Sequence, residues 1–219
     1  MVFRPWRGLL PDTCELIAVV APGRESRVKE RPFTLIDDLA TEIATALDRH
    51  VTTPVLLVGH SFGGLVATIV QSRVRRVDVR AVVVAGTPPP DTLDRRLMDL
   101  TDTKLKEQVR AWGQTPEEVL SSPAFDELFL PCLRADLTAG YNARASLIAA
   151  EPLRVPLVAM AGLDDEAAPQ TVVARWSNWA KDFTLLTFAG GHFFPLTSAV
   201  SVVAEVERLV AEHTGERQS

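Results

Sequence analysis

Three observations predict an α/β fold with a mostly parallel sheet covered by helices on both faces. Apolar runs rich in β-branched residues recur along the chain, amphipathic helical patterns fall between them, and the runs are apolar throughout rather than alternating. In chain order, residues 14–21 (CELIAVVA) read as a buried strand, closed by Pro22-Gly23 and a charged loop through Arg31. Thr34 offers an N-cap and Asp37 a first-turn carboxylate, while Leu35, Leu39, Ile43 and Leu47 share one face, so a helix is expected to about His50. Pro54 opens a second strand over 55–58, and a Gly-rich turn leads into a helix from Gly64 to about Val74. Residues 79–85 form a third strand, ended by Gly86 and the run Pro88-Pro89-Pro90. Strands are also expected over 155–161 and 183–188, with a helix around 170–180 between them and a last helix over about 198–212.

Residues 91–150 interrupt that rhythm. Their pattern is helical, with breaks at Gly113, Pro116, Pro123 and Pro131, and no strand is expected there. This reads as a helical insertion within one domain spanning 1–219, since domains average roughly 150 residues. The hydrophobic content of 47% and charged content of 23% are those of a globular chain and exclude a disordered one. A net charge of −5 argues against nonspecific nucleic-acid binding, which needs a basic surface. The two cysteines, Cys14 and Cys132, make no disulfide framework and no zinc-ligand spacing. No apolar run approaches the roughly 18 to 20 residues that span a bilayer, and the first residues lack the apolar stretch of a signal peptide. A cytoplasmic monomer without metal or cofactor is therefore expected.

Gly59-His60-Ser61-Phe62-Gly63 fits G-x-S-x-G, and it lies where that pattern carries chemistry, after a buried strand and before a helix. A nucleophile in a tight strand-to-helix turn stands clear of the backbone, and the helix N-terminus offers an N–H to a developing oxyanion. A serine hydroxyl needs a base. Of the four histidines, His50 and His213 fall near helix ends, and His60 is expected to face the far side of the turn and pack. His192 follows the last strand, in Ala189-Gly190-Gly191-His192-Phe193-Phe194-Pro195, where open α/β sheets place their ligands. The orienting carboxylate belongs after the preceding strand, in Gly162-Leu163-Asp164-Asp165-Glu166, with Asp165 the first candidate and Asp164 the second.

These residues resemble an α/β-hydrolase, and more narrowly the type II thioesterases that accompany polyketide and nonribosomal peptide synthetases. The resemblance is carried by Phe3-Arg4-Pro5-Trp6, the Pro22-Gly23-Arg24-Glu25-Ser26-Arg27 loop, the Gly59 to Gly64 turn (GHSFGG), Leu133-Arg134-Ala135-Asp136-Leu137 with Tyr141, Gly162-x-x-Asp165, and Gly191-His192-Phe193-Phe194. It implies Ser61, Asp165 and His192 as a triad, the N–H of Phe62 as an oxyanion donor, and 91–150 as a helical lid over an acyl channel. It also implies hydrolysis of thioesters held on the phosphopantetheine of acyl or peptidyl carrier proteins, clearing stalled units during antibiotic-type biosynthesis. The family's first strand and its Gly-rich loop, which supplies a second oxyanion donor, are expected to be missing, since only Met1-Val2 precede Phe3. Two other functions share these features: acyl transfer or cyclisation by the same triad, and non-hydrolytic binding of a pathway intermediate.

Nineteen of the 23 basic residues are arginine, and Arg73, Arg75, Arg76 and Arg80 cluster around the helix after the nucleophile. A solvated helix end accounts for them, with a docking patch for an acidic carrier protein as the alternative. Trp112, Leu128, Phe129 and Leu133 fit either an acyl channel or packing within the insertion.

Overall fold

The computed structural model describes residues 2–112 and 115–214. In chain order it contains α1 (Ile36–His50), β1 (Val55–His60), α2 (Phe62–Arg73), β2 (Val79–Ala85), α3 (Asp102–Ala111), α4 (Glu117–Leu120), α5 (Leu130–Ala149), β3 (Leu157–Gly162), α6 (Gln170–Val173), β4 (Phe183–Phe188), α7 (Phe194–Thr197) and α8 (Ala199–Thr214). Among these residues the four strands form one sheet in the order β1-β2-β3-β4, every neighbouring pair parallel.

The inner strands are buried on both faces, β3 throughout and β2 from Ala81 to Ala85, because those runs are continuously apolar. Side chains alternate along β2: Val82 and Val84 join a core with Leu39, Ala44, Leu65 and Val70 of α1 and α2. Val83 and Ala85 join the opposite core with Trp6 and with Val202, Val203 and Val206 of α8. A third, smaller core of Leu105, Val109, Leu120, Phe125 and Leu130 sits within 91–150, and Trp112 and Leu133 pack on it. Leu128 and Phe129 are half exposed, with Phe129 stacked on Phe125 at 4.9 Å between ring centroids.

Several expected elements differ. Residues 14–21 are not a strand: no ladder forms with them among the described residues, and Ile17 and Val19 stand half exposed. An apolar run makes a strand only where a neighbour completes its hydrogen bonds; here Arg27 donates to the Val20 carbonyl at 3.1 Å instead. Helix α1 starts one turn-residue later than expected, with Leu35 as an N-cap lacking a side-chain acceptor, so Thr34 does not cap it. The helix expected over 170–180 is α6 followed by a 3₁₀ segment, Ala174–Asn178.

The break expected at Pro131 is absorbed rather than made. A π-helical turn, Phe125–Phe129, precedes α5, and the Leu130 N–H donates to Phe125 rather than to the residue four back. The widened turn accommodates a ring that lacks an N–H and would crowd the preceding turn. Pro116 caps α4 as a boundary residue, whereas Gly113 lies outside the described residues.

Candidate active site

Parallel pairing gathers the residues of interest at the carboxyl ends of the strands. His60 lies opposite Ala85, Ala85 opposite Met160, and Gly162 opposite Phe188. Ser61, Gly86, Asp165 and His192 follow those positions, so all four leave the same edge of the sheet, where open α/β sheets bind ligands.

Ser61 is held at φ 53°, ψ −125°, a conformation that costs a residue with a Cβ about 1–3 kcal/mol. Its surroundings fix it there. The Ser61 N–H donates to Ala85 at 2.9 Å, and its carbonyl accepts from the Thr87 hydroxyl at 2.9 Å and from the Gly64 N–H at 3.0 Å. Thr87 is fully buried and carried no sequence signal. The glycines of the turn have unequal tasks. A Cβ on Gly59 would lie 2.1 Å from the Gly63 carbonyl, and one on Gly64 would lie 2.1 Å from the Thr87 hydroxyl, whereas one on Gly63 would meet open space. Gly59→Ala is therefore expected to destabilise the protein by about 3 kcal/mol or more in denaturant unfolding, and Gly63→Ala by under about 1 kcal/mol. Equal losses would contradict the close approach of β1 and α2.

Asp165 and His192 are paired. The His192 ring nitrogen Nδ1 lies 3.0 Å from Oδ2 and 3.2 Å from Oδ1 of Asp165, whose side chain is fully buried. The N–H groups of Ala167 and Ala168 each donate to Asp165 Oδ1 at 2.9 Å. Burial, the largest influence, pushes this carboxyl up, but the hydrogen bond and charge of His192 and the two backbone donors together hold it below the usual range. It is thus an anion in contact with the imidazole at neutral pH. Asp164 is exposed. Gly86, at φ 54°, lets the chain pass: a Cβ there would be 3.2 Å from Asp165 Oδ2 and 3.4 Å from His192 Nδ1.

His60 does not face away from the site. Its Nε2 lies 2.7 Å from the His192 carbonyl, and its ring centroid is 4.7 Å from that of His192. Strand alternation does not carry through a turn at positive φ, so neighbouring side chains can share a side. His50 and His213 stand in the last turns of α1 and α8, as expected. The loop bearing His192 is anchored at its other end by Trp6, whose indole N–H donates to the Pro195 carbonyl at 2.9 Å.

Two segments that the sequence presents separately hold each other. Arg24 pairs with Asp136 of α5, and the Cys132 thiol donates to the Gly23 carbonyl at 3.1 Å. The same helix rests on the nucleophile helix at Gly140, where a Cβ would lie 3.4 Å from Leu65 and 3.7 Å from Phe62. Burial pushes the Asp136 carboxyl up to about 6, with Arg24 drawing it back. A carboxyl raised in the folded state binds its proton more tightly there, so its contribution is full below about pH 4 and lost as pH rises through about 6. The stability of the wild type relative to Asp136→Asn is expected to fall by about 1–3 kcal/mol from pH 4 to 7, measured by denaturant unfolding. Parallel stability curves would contradict it.

Arg73 pairs with Asp37 and Arg80 with Asp78, so half of the arginine cluster is matched within the chain. Among the described residues no three His, Cys, Asp or Glu side chains gather as a metal site, and both cysteines are free thiols. No helix among the described residues is long and apolar enough to cross a membrane.

Comparisons with known proteins agree with this architecture. A family model described as a thioesterase domain matches residues 1–210. The chain is 32% identical over 216 residues to AMB antimetabolite synthetase AmbE of Pseudomonas aeruginosa, covering 95% of this chain and 10% of that protein. It therefore spans about a tenth of AmbE's length. It is 26% identical over 211 residues to gramicidin S biosynthesis protein GrsT of Aneurinibacillus migulanus, covering 92% of this chain and 80% of that one. Among solved structures, YbtT, a type II thioesterase from the yersiniabactin NRPS/PKS biosynthetic pathway, superposes with a TM-score of 0.86 at 28% identity, covering 98% of this chain and 89% of that one.

Proposed function

Because the chain belongs to the thioesterase family, we propose that it is a type II thioesterase that hydrolyses acyl groups from the phosphopantetheine arm of carrier proteins in polyketide or nonribosomal peptide synthesis. The observation that carries this reading is the buried Asp165–His192 pair at the same sheet edge as a serine held in a strained turn.

Ser61 Oγ attacks the thioester carbonyl as His192 Nε2 takes its proton. Asp165 keeps the remaining ring proton on Nδ1 and offsets the imidazolium charge as it forms. The Phe62 N–H heads α2, where the first helical donors have no intrahelical acceptor, and it faces the developing oxyanion. The imidazolium then protonates the departing pantetheine sulfur, and water hydrolyses the acyl-enzyme by the same steps in reverse. The 91–150 insertion serves as the lid, since α5 lies against Phe62 and is tied to the 22–27 loop through Asp136 and Cys132. The protein acts as a monomer on a carrier-bound substrate.

The test is release of free thiol from acyl-pantetheine by the wild type beside Ser61→Ala. The wild type is expected to release thiol and the variant to fall to background. Equal release from both would sink the nucleophilic mechanism.

A further inference from the structure

We propose that His60 is a positioning residue for the base: a neutral imidazole whose Nε2–H holds the His192 carbonyl and so fixes the loop that presents His192 to Ser61. The inference rests on His192 acting as the base.

The hydrogen bond has one possible direction. A carbonyl oxygen only accepts, so the 2.7 Å contact requires the proton on His60 Nε2. The ring also lies against the base itself, with centroids 4.7 Å apart and planes at 50°, and against Phe193 at 5.6 Å. The contact joins parts of the fold that no ladder joins. His60 ends β1 and His192 follows β4, the two outer strands of the four, with β2 and β3 between them. Asp165 grips the imidazole from the β3 side, and Trp6 grips the loop at Pro195. The His60 ring ties the loop's backbone to the end of β1, one residue before the nucleophile. A shift of about 1 Å between nucleophile and base can cost about 100-fold in rate, so this tether bears on chemistry.

Its charge state suits the task. The titratable groups facing His60 are His192 and Asp165, and burial, followed by the charge of His192, lowers its pKa to about 4. It remains a neutral donor while the neighbouring imidazole gains and loses a proton, and it adds no second cation when the imidazolium forms. A hydrocarbon at position 60 would fill the space without the donor.

Active sites are counted by fluorophosphonate labelling, and kcat and KM for acyl-pantetheine are measured per labelled site for wild type, His60→Leu, His60→Gln and His60→Asn. Glutamine can place an amide N–H where Nε2 stands, and asparagine is too short. His60→Leu is expected to lose about 10- to 100-fold in kcat with KM within about twofold, and His60→Gln to return to within about threefold of wild type. His60→Asn should resemble His60→Leu. If the leucine variant does not fold, the glutamine and asparagine variants carry the comparison. A leucine variant within about twofold of wild-type kcat, or glutamine no better than asparagine, overturns the inference. Ser61→Ala, with thiol release read per total folded protein, separates the two claims: if it is inactive while the position-60 variants match wild type, only the role of His60 fails.

Discussion

Ser61→Ala is expected to lower kcat for acyl-pantetheine hydrolysis by on the order of 10⁴- to 10⁶-fold, with KM changed little. The loss is large because the hydroxyl is the attacking group, and no other nucleophile stands in that turn. Folding should be unaffected, since the contacts that hold residue 61 come from its backbone: its N–H to Ala85, and its carbonyl to Thr87 and Gly64. A companion substitution reads the strain directly. Ser61→Gly removes the Cβ from a residue at φ 53° and should be about 1 kcal/mol more stable than Ser61→Ala, although equally inactive. Equal stabilities would show that the turn holds no strain at that residue.

Asp165→Asn is expected to lower kcat by on the order of 10³- to 10⁴-fold with an intact fold. The arrangement of donors explains why an almost isosteric change is so costly. Two backbone N–H groups, from Ala167 and Ala168, both point at Oδ1, so the amide oxygen of an asparagine must take that place. Its NH₂ then occupies the place of Oδ2, 3.0 Å from His192 Nδ1, and donates to that nitrogen. The imidazole proton is driven to Nε2, where it blocks removal of the serine proton. Asp164→Asn, at an exposed neighbour, should stay within about threefold of wild type. Comparable losses at both positions would contradict the assignment of the orienting acid.

The parts of this fold legible in the sequence were those in which local pattern and global structure agree. Residues 79–85 and 183–188 are predominantly apolar runs, interrupted only by Arg80 and by Thr184 and Thr187, and they become β2 and β4 with the expected limits. Ser61, Asp165 and His192 each follow a strand, and parallel register alone brings such positions to one edge. Residues 14–21 show where pattern falls short, since hydrophobicity says nothing about whether a neighbouring strand is present to pair. Pro131 shows the same from the other direction, because a π turn upstream removed the conflict that would have ended the helix. The partners of single side chains were the least legible. Nothing local to His60 indicates a hydrogen bond to residue 192, and nothing in the 22–27 loop indicates that Arg24 meets Asp136. Thr87 was silent because its task, holding the Ser61 carbonyl, exists only once β1 and β2 are aligned.

Covalent capture of the nucleophile tests the central claim most directly. The protein is treated with a fluorophosphonate, its intact mass is measured, and the modified peptide is mapped, with thiol release from acyl-pantetheine followed on the same sample. A single adduct on Ser61 that abolishes thiol release, and is absent from Ser61→Ala, is the expected result. Thiol release that persists while Ser61 is fully modified would contradict the account.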